Sequence, residues 1–275
     1  MSPDSAPSTP IAAPPEVRRI GRVNWEGLRT LYFKEVRRFM KVATQTILAP
    51  LITTLLFLAI FVLAIGRSVD QMGGVPFMEF LAPGLIMMTM VQNAFANTSS
   101  SILIAKIQGN IVDVLMPPLS AGELTAGFAL GGLTRGLLVG FTTWGAMTLI
   151  VKVGIHAPLL ILFHAAAASL LLSLLGMVGA IWAEKFDQMA AVTNFIITPF
   201  AFLSGTFYST ERLPEILKFV AHLNPFFYMI DGFRYGFIGH ADGSLAAGVI
   251  VMIAANVGLW LLAHRLFSRG YRLKA

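Results

Sequence analysis

The stretch that decides the fold is VATQTILAPLITTLLFLAIFVLAIG, residues 42–66, in which no side chain carries a charge. An apolar helix needs about 20 residues to cross roughly 30 Å of hydrocarbon, and this run is long enough. Four more uncharged stretches follow: Phe80–Ala105, Val153–Ala183, Gln188–Thr210 and Gly243–His264. Of the 275 residues, 56% are hydrophobic and only 12% charged, about half the charged share of a soluble chain. This excludes an ordinary cytoplasmic enzyme and a disordered chain, and it specifies an all-α polytopic membrane protein.

Eight of the 20 Lys and Arg residues lie between Arg18 and Lys41, just before the first apolar run. Such a cluster marks the cytoplasmic side, so the net charge of +6 reports topology rather than a nucleic-acid partner. The absence of cysteine excludes disulfides, thiolate catalysis and Cys-ligated zinc. Residues 1–22 carry Pro3, Pro7, Pro10, Pro14 and Pro15 and no apolar run; they read as a disordered cytoplasmic tail, not a signal peptide. The transmembrane domain then occupies 23–275.

Trp25–Met40 has helical periodicity, with Trp25, Leu28, Tyr32, Val36 and Phe39 on one stripe and Lys34, Arg37, Arg38 and Lys41 opposite. A basic amphipathic helix before a span lies in the inner interface, as an anchor or as a contact for a cytoplasmic partner. Spans are expected near 42–65, 80–105, 126–151, 158–182, 189–207 and 245–266, six in all. Pro50 and Thr53-Thr54 should soften the first. Gln92, Asn93, Asn97 and Thr98–Ser101 make the second unusually polar; they hydrogen-bond neighbouring helices or line a substrate path, since lipid cannot satisfy them. Gly127/Gly131, Gly132/Gly136 and Gly136/Gly140 in the third are sites of close helix approach. With both termini inside, 14 Lys and Arg fall on the cytoplasmic side and five outside, as the positive-inside rule requires. Between the last two spans, Leu213–Leu217 starts a helix, Asn224-Pro225 stops it, and an aromatic segment follows around Asp231 and Arg234. These read as two short re-entrant helices at the outer face, with Asp231 and Arg234 an i,i+3 structural pair.

No Gly-x-x-x-x-Gly-Lys-Ser/Thr loop is present, so the chain has no P-loop for ATP. The five His are scattered without metal-ligand spacing, and His164 reads as a hydrogen-bonded helix residue. Ser204-Gly205 resembles an intramembrane protease motif only faintly, because Phe202 stands where that motif needs Gly. No Asp or Glu lies at mid-membrane depth, which disfavours an ion-coupled carrier. A membrane enzyme using Asp231, Arg234 and His240 on lipid-linked substrates is the alternative from another class.

The loop between spans two and three, Lys106-Ile-Gln-Gly-Asn-Ile-Val-Asp-Val-Leu-Met-Pro-Pro-Leu-Ser120, is too apolar for a solvated connection. Exposed apolar surface marks a docking site, or an interfacial helix lying on lipid. The ending Leu115-Met116-Pro117-Pro118-Leu119-Ser120 resembles the coupling helix of type-2 ABC exporter (ABC-2) permeases. The blocks Pro199–Tyr208, Leu213-Pro214, Asn224-Pro225 and Asp231–Gly239 are similar to that family's signature region, especially in its YadH-like branch. The resemblance runs from Trp25 to the C-terminus. One departure is Ser101–Gln108, where Lys106 is the lone charge in place of the family's acidic, Arg-rich stretch. The resemblance implies a permease subunit for efflux in a bacterial inner membrane. It would work as a homodimer with two copies of a separate ATPase, which holds ATP and Mg while this chain binds no cofactor. It further implies coupling through Asn110, Ile111, Asp113, Val114, Leu115 and Pro117, a dimer seam on spans one and five, and a path between protomers. Residues expected on that path are Gln92, Asn93, Asn97, Asn194 and Thr198.

Overall fold

The computed structural model describes residues 21–273 apart from 65, 67, 68, 70, 211 and 212. Most of the tail expected over 1–22 therefore lies outside the described residues. Helix α1 spans Trp25–Met40, as the periodicity predicts, and opens where the Asn24 side chain accepts the Gly27 N–H at 2.9 Å. Its buried face overlaps the expected stripe but is rotated from it. Leu31, Glu35 and Phe39 are buried at i,i+4 spacing, Leu28, Tyr32 and Val36 are half-buried, and Trp25 is 71% exposed. The helix is pressed onto protein, chiefly α5 (Ala121–Met147), so the face it hides is set by that contact and not by lipid alone.

Helix α2 (Ala49–Ala64) continues directly from a π-helical turn, Thr44–Leu48. The wide turn sits just before Pro50, which lacks the N–H that a regular helix would use. Thr54 donates to the Pro50 carbonyl at 2.7 Å and meets Thr89 at 2.6 Å. A two-stranded ribbon, β1 (Gln71–Met72) and β2 (Val75–Pro76), turns through Gly73 and Gly74, both at positive φ. This small exception to the all-α expectation is too short to leave an alternating pattern.

Helix α3 (Phe77–Ile107) is 31 residues long and forms the centre of the bundle, packed against α5 and α6 (Pro158–Trp182). A positive-φ Gly109 turns the chain into the five-residue α4 (Ile111–Leu115). Helix α5 starts at Ala121, earlier than expected, because Ser120 and Glu123 form a reciprocal capping box. Its glycines are contact sites. A Cβ on Gly127 would lie 2.6 Å from Leu31 Cδ2, and one on Gly131 2.6 Å from Glu35 Cβ, so this pair seats α1. Gly132 and Gly136 admit Ser173 and Ser169 of α6 in the same way.

Helix α6 matches its expected bounds. Beyond it, α7 (Phe186–Val192), a π-helical turn (Thr193–Ile197) and α8 (Thr198–Phe202) form one run. This run ends before the expected 207, because Ser204 and Thr206 turn back onto the Ala201 carbonyl and Gly205 adopts φ 74°. Two short helices follow as expected, α9 (Glu215–Leu223) and α10 (Pro225–Ile238), and then α11 (Leu245–Ser268). Among the described residues, four helical segments are long and apolar enough to cross a membrane: Thr44–Ala64, Ala121–Met147, Pro158–Trp182 and Leu245–Ser268. The other two expected spans fall on α3, whose apolar character its buried amides and hydroxyls dilute, and on the short α7–α8 run.

Candidate coupling surface and translocation groove

The end of the bundle at which α1 and α5 begin is organised by Glu123. One of its oxygens accepts the Ser120 N–H at 2.6 Å, and the other accepts the Asn24 N–H. Asn24 also donates through Nδ2 to the Pro118 carbonyl at 3.2 Å. The start of α1 and the end of the loop are thus fastened to the same point. Between α1 and the loop lies an open groove of about 540 Å³, lined by Lys34, Arg38, Asn110, Asp113, Val114 and Pro117 among others.

Of the residues expected to couple, Asn110, Asp113 and Pro117 are exposed and Leu115 is half-buried. Ile111 and Val114 face inward, 3% and 8% exposed. The outward face of α4 is therefore Val112, Asp113 and the following Met116, which is 76% exposed. A five-residue helix lying on its own protein uses Ile111 and Val114 for that contact. Lys106 serves α6: its Nζ donates to the carbonyls of Ala180, Ile181 and Ala183 at 3.1, 2.7 and 2.7 Å, a cation at a helix C-terminus.

A second groove, about 450 Å³, opens between α2, α3 and α8. Gln92, Asn93 and Thr198 line it, together with Gln45, Thr53, Thr89 and the rings of Phe57, Phe202 and Phe207. Two expected path residues are not in its wall. Asn194 is exposed on the π-helical turn, and Asn97 is fully buried beneath Arg38. Gln92 and Asn93 thus line the groove, whereas Asn97 is given over to the contact with α1.

At the opposite end, Asp231 and Arg234 are both buried but do not form the expected pair. Arg234 donates to the Gly205 carbonyl at 2.6 Å and stacks over Phe80, its guanidinium carbon 3.8 Å from the ring centroid. Asp231 accepts the N–H groups of Asp242 and Gly243 at 2.7 and 3.0 Å. One helical turn of α10 so points its cation at the turn after α8 and its anion at the turn before α11. Asp242 adds the last tie, accepting from Ser209, Thr210 and His240.

The family model for the ABC-2 type transporter matches residues 26–238. The chain belongs to the ABC-2 transporter family. It is similar to the inner membrane transport permease YadH of Escherichia coli K12, 37% identical over 91% of this chain and 98% of that one. It is also similar to nodulation protein J of Neorhizobium galegae, 25% identical over 90% of this chain and 95% of that one. This ABC-2 chain is the membrane permease of an ABC transporter and a bacterial inner-membrane protein.

Sequence reasoning missed the charged centre of the ABC-2 permease. Glu35 of α1 is fully buried; it accepts from Ser101 at 2.7 Å and pairs with Arg38 at 3.3 Å. Arg38 donates onward to Asn97 and Ser100, and Arg135 of α5 donates to Asn93 Oδ1 at 3.0 Å. A signal was present: Glu35 stands four residues from both Leu31 and Phe39, within an apolar i,i+4 row. Of the residues of the enzyme reading, Asp231 and Arg234 are held by backbone groups and His240 by Asp242. Ser204 is buried and bonded to its own helix end, and the buried His164 uses Nδ1–H on the Leu160 carbonyl at 2.9 Å. Among the described residues no His, Asp and Glu cluster could hold a metal.

Proposed function

We propose that this permease is the membrane half of an ATP-driven exporter. Two copies form the translocation path, and each docks one ATPase subunit, which carries ATP and Mg; the permease itself binds no cofactor. The ABC-2 family generally works with such an ATPase. Six spans, counting α3 and the α7–α8 run, place both termini in the cytoplasm. Nucleotide-driven closure of the ATPases presses on α4 and α1, and the spans alternate between inward- and outward-open states, a population shift set by differential binding. The path includes the groove at Gln92, Asn93 and Thr198, with α2 and α8 at the seam between copies.

The observation that supports coupling most directly is the shared attachment of α1 and the 110–120 loop to Glu123, beside an apolar outward face on α4. The test is co-purification with the cognate ATPase and its turnover. Met116→Asp and Val112→Asp should leave the permease folded and dimeric but abolish partner capture. Val114→Ala, which removes buried apolar area, should cost stability, about 1–2 kcal/mol. Full partner binding and transport in both aspartate variants would refute docking through this face.

A further inference from the structure

Arg135 stands midway along α5, a helix of 27 residues long and apolar enough to cross a membrane. A guanidinium keeps its charge in a protein, and an ionisable group at membrane depth is retained where it has a partner or a task. Its resident partner is neutral. One terminal nitrogen donates to Asn93 Oδ1, and Nε has no acceptor. Among the described residues, the ion pairs are Glu35–Arg38, His240–Asp242 and Glu184–Arg272, and none of them includes Arg135. Glu35 is already engaged by Arg38 and Ser101.

Asn93 is the wall between this charge and the groove, since it receives Arg135 and lines the groove. No Asp or Glu is among the residues lining that space. Its polar side chains are neutral amides and hydroxyls, able to donate to an acceptor, and its remaining wall is apolar: Phe57, Leu85, Met88, Phe202 and Phe207. In a low-dielectric setting an uncompensated positive charge one hydrogen bond away favours an anion over a neutral or cationic group. We infer that the groove between α2, α3 and α8 takes an amphiphilic anion. Its phosphate, sulfate or carboxylate head sits beside Asn93 in the field of Arg135, and its apolar body lies along the phenylalanines. This names a substrate class for the groove assigned above to the path, and so rests on that assignment.

The test uses the purified permease in neutral maltoside detergent, without ATPase or nucleotide, and dodecyl phosphate as the probe. Saturable binding is expected, with dodecyltrimethylammonium binding at least about tenfold more weakly. Arg135→Gln should weaken dodecyl phosphate about tenfold, whereas Arg135→Lys, which keeps the charge, should retain most of the affinity. Gln92→Glu, at an exposed groove position that carries no folding burden, should also weaken the anion and raise affinity for the cation. Inorganic phosphate at matched concentration should not displace the probe; displacement would overturn the amphiphilic class. Equal binding of the cation, or unchanged anion binding in both Arg135→Gln and Gln92→Glu, would overturn the proposal. Failure here leaves ATPase coupling standing, and failure of partner capture leaves this binding result standing.

Discussion

Arg38 donates to both oxygens of Asn97, to the backbone carbonyl at 2.6 Å and to the side chain at 3.0 Å. The contact joins α1 to the most polar turn of the central helix, α3. An arginine that the amphipathic pattern assigns to the solvated face of α1 therefore reaches into the bundle, and Glu35, one turn earlier, is the counter-charge that makes this possible.

Removing that counter-charge should be costly. Glu35→Ala leaves Arg38 without its carboxylate and Ser101 without an acceptor, and it should destabilise the fold by about 3 kcal/mol. Glu35→Gln keeps an acceptor for Ser101 and should cost less. Thermal unfolding midpoints of the two variants in one detergent check the order; equal midpoints would mean that the buried charge contributes nothing.

Acid should loosen the outer turns. Burial pushes the Asp242 carboxyl up, but hydrogen bonds from Ser209 and Thr210, the charge of Arg234 and the bond to His240 outweigh it, and the net shift is downward. A depressed carboxyl contributes its full stability above the unfolded value, about 3.9, and loses it as pH falls through the folded one. The unfolding midpoint should therefore drop on acidification below about pH 4, and Asp242→Asn should flatten that part of the profile.

Arg234→Lys is not conservative here. Lysine cannot reproduce the planar stack on Phe80 together with the bond to the Gly205 carbonyl. Hydrogen exchange at the amides of 203–208 should speed up in Arg234→Lys while exchange in the middle of α6 stays unchanged. Uniform acceleration across both would point to global unfolding instead.

The lack of native cysteine permits a clean test of orientation. Cysteines replacing Asn110 or Lys185, both exposed, should react with an impermeant maleimide only from the cytoplasmic side. Cysteine at Leu149, 88% exposed in the turn after α5, should react only from outside. The opposite labelling would invert the topology.

The helices that the sequence delimits best are those whose ends carry a local chemical mark. Pro158 at the first turn and the uncharged run to Trp182 locate α6 at both ends. The third span, expected from residue 126, starts at Ala121, where Ser120-x-x-Glu123 marks the helix start. Asn93 and Asn97 look alike in sequence, four residues apart on one helix. Only the tertiary contacts tell that Asn93, bonded to Arg135, lines a groove and that Asn97 lies buried beneath Arg38. The Asp231–Arg234 spacing fits an ion pair equally well whether or not the two side chains meet. Their divergence follows from turns at 205 and 242 that are distant in sequence, and helical spacing does not encode it.

The bond from Asn24 to Glu123 spans 99 residues, and this sets an order of events during synthesis. At about 5–20 residues per second, α1 leaves the ribosome some 5–20 s before its seat on α5 exists. Through that interval Glu35 still lacks Gly131 to lie against, and the docking of α1 reports that α5 has been made.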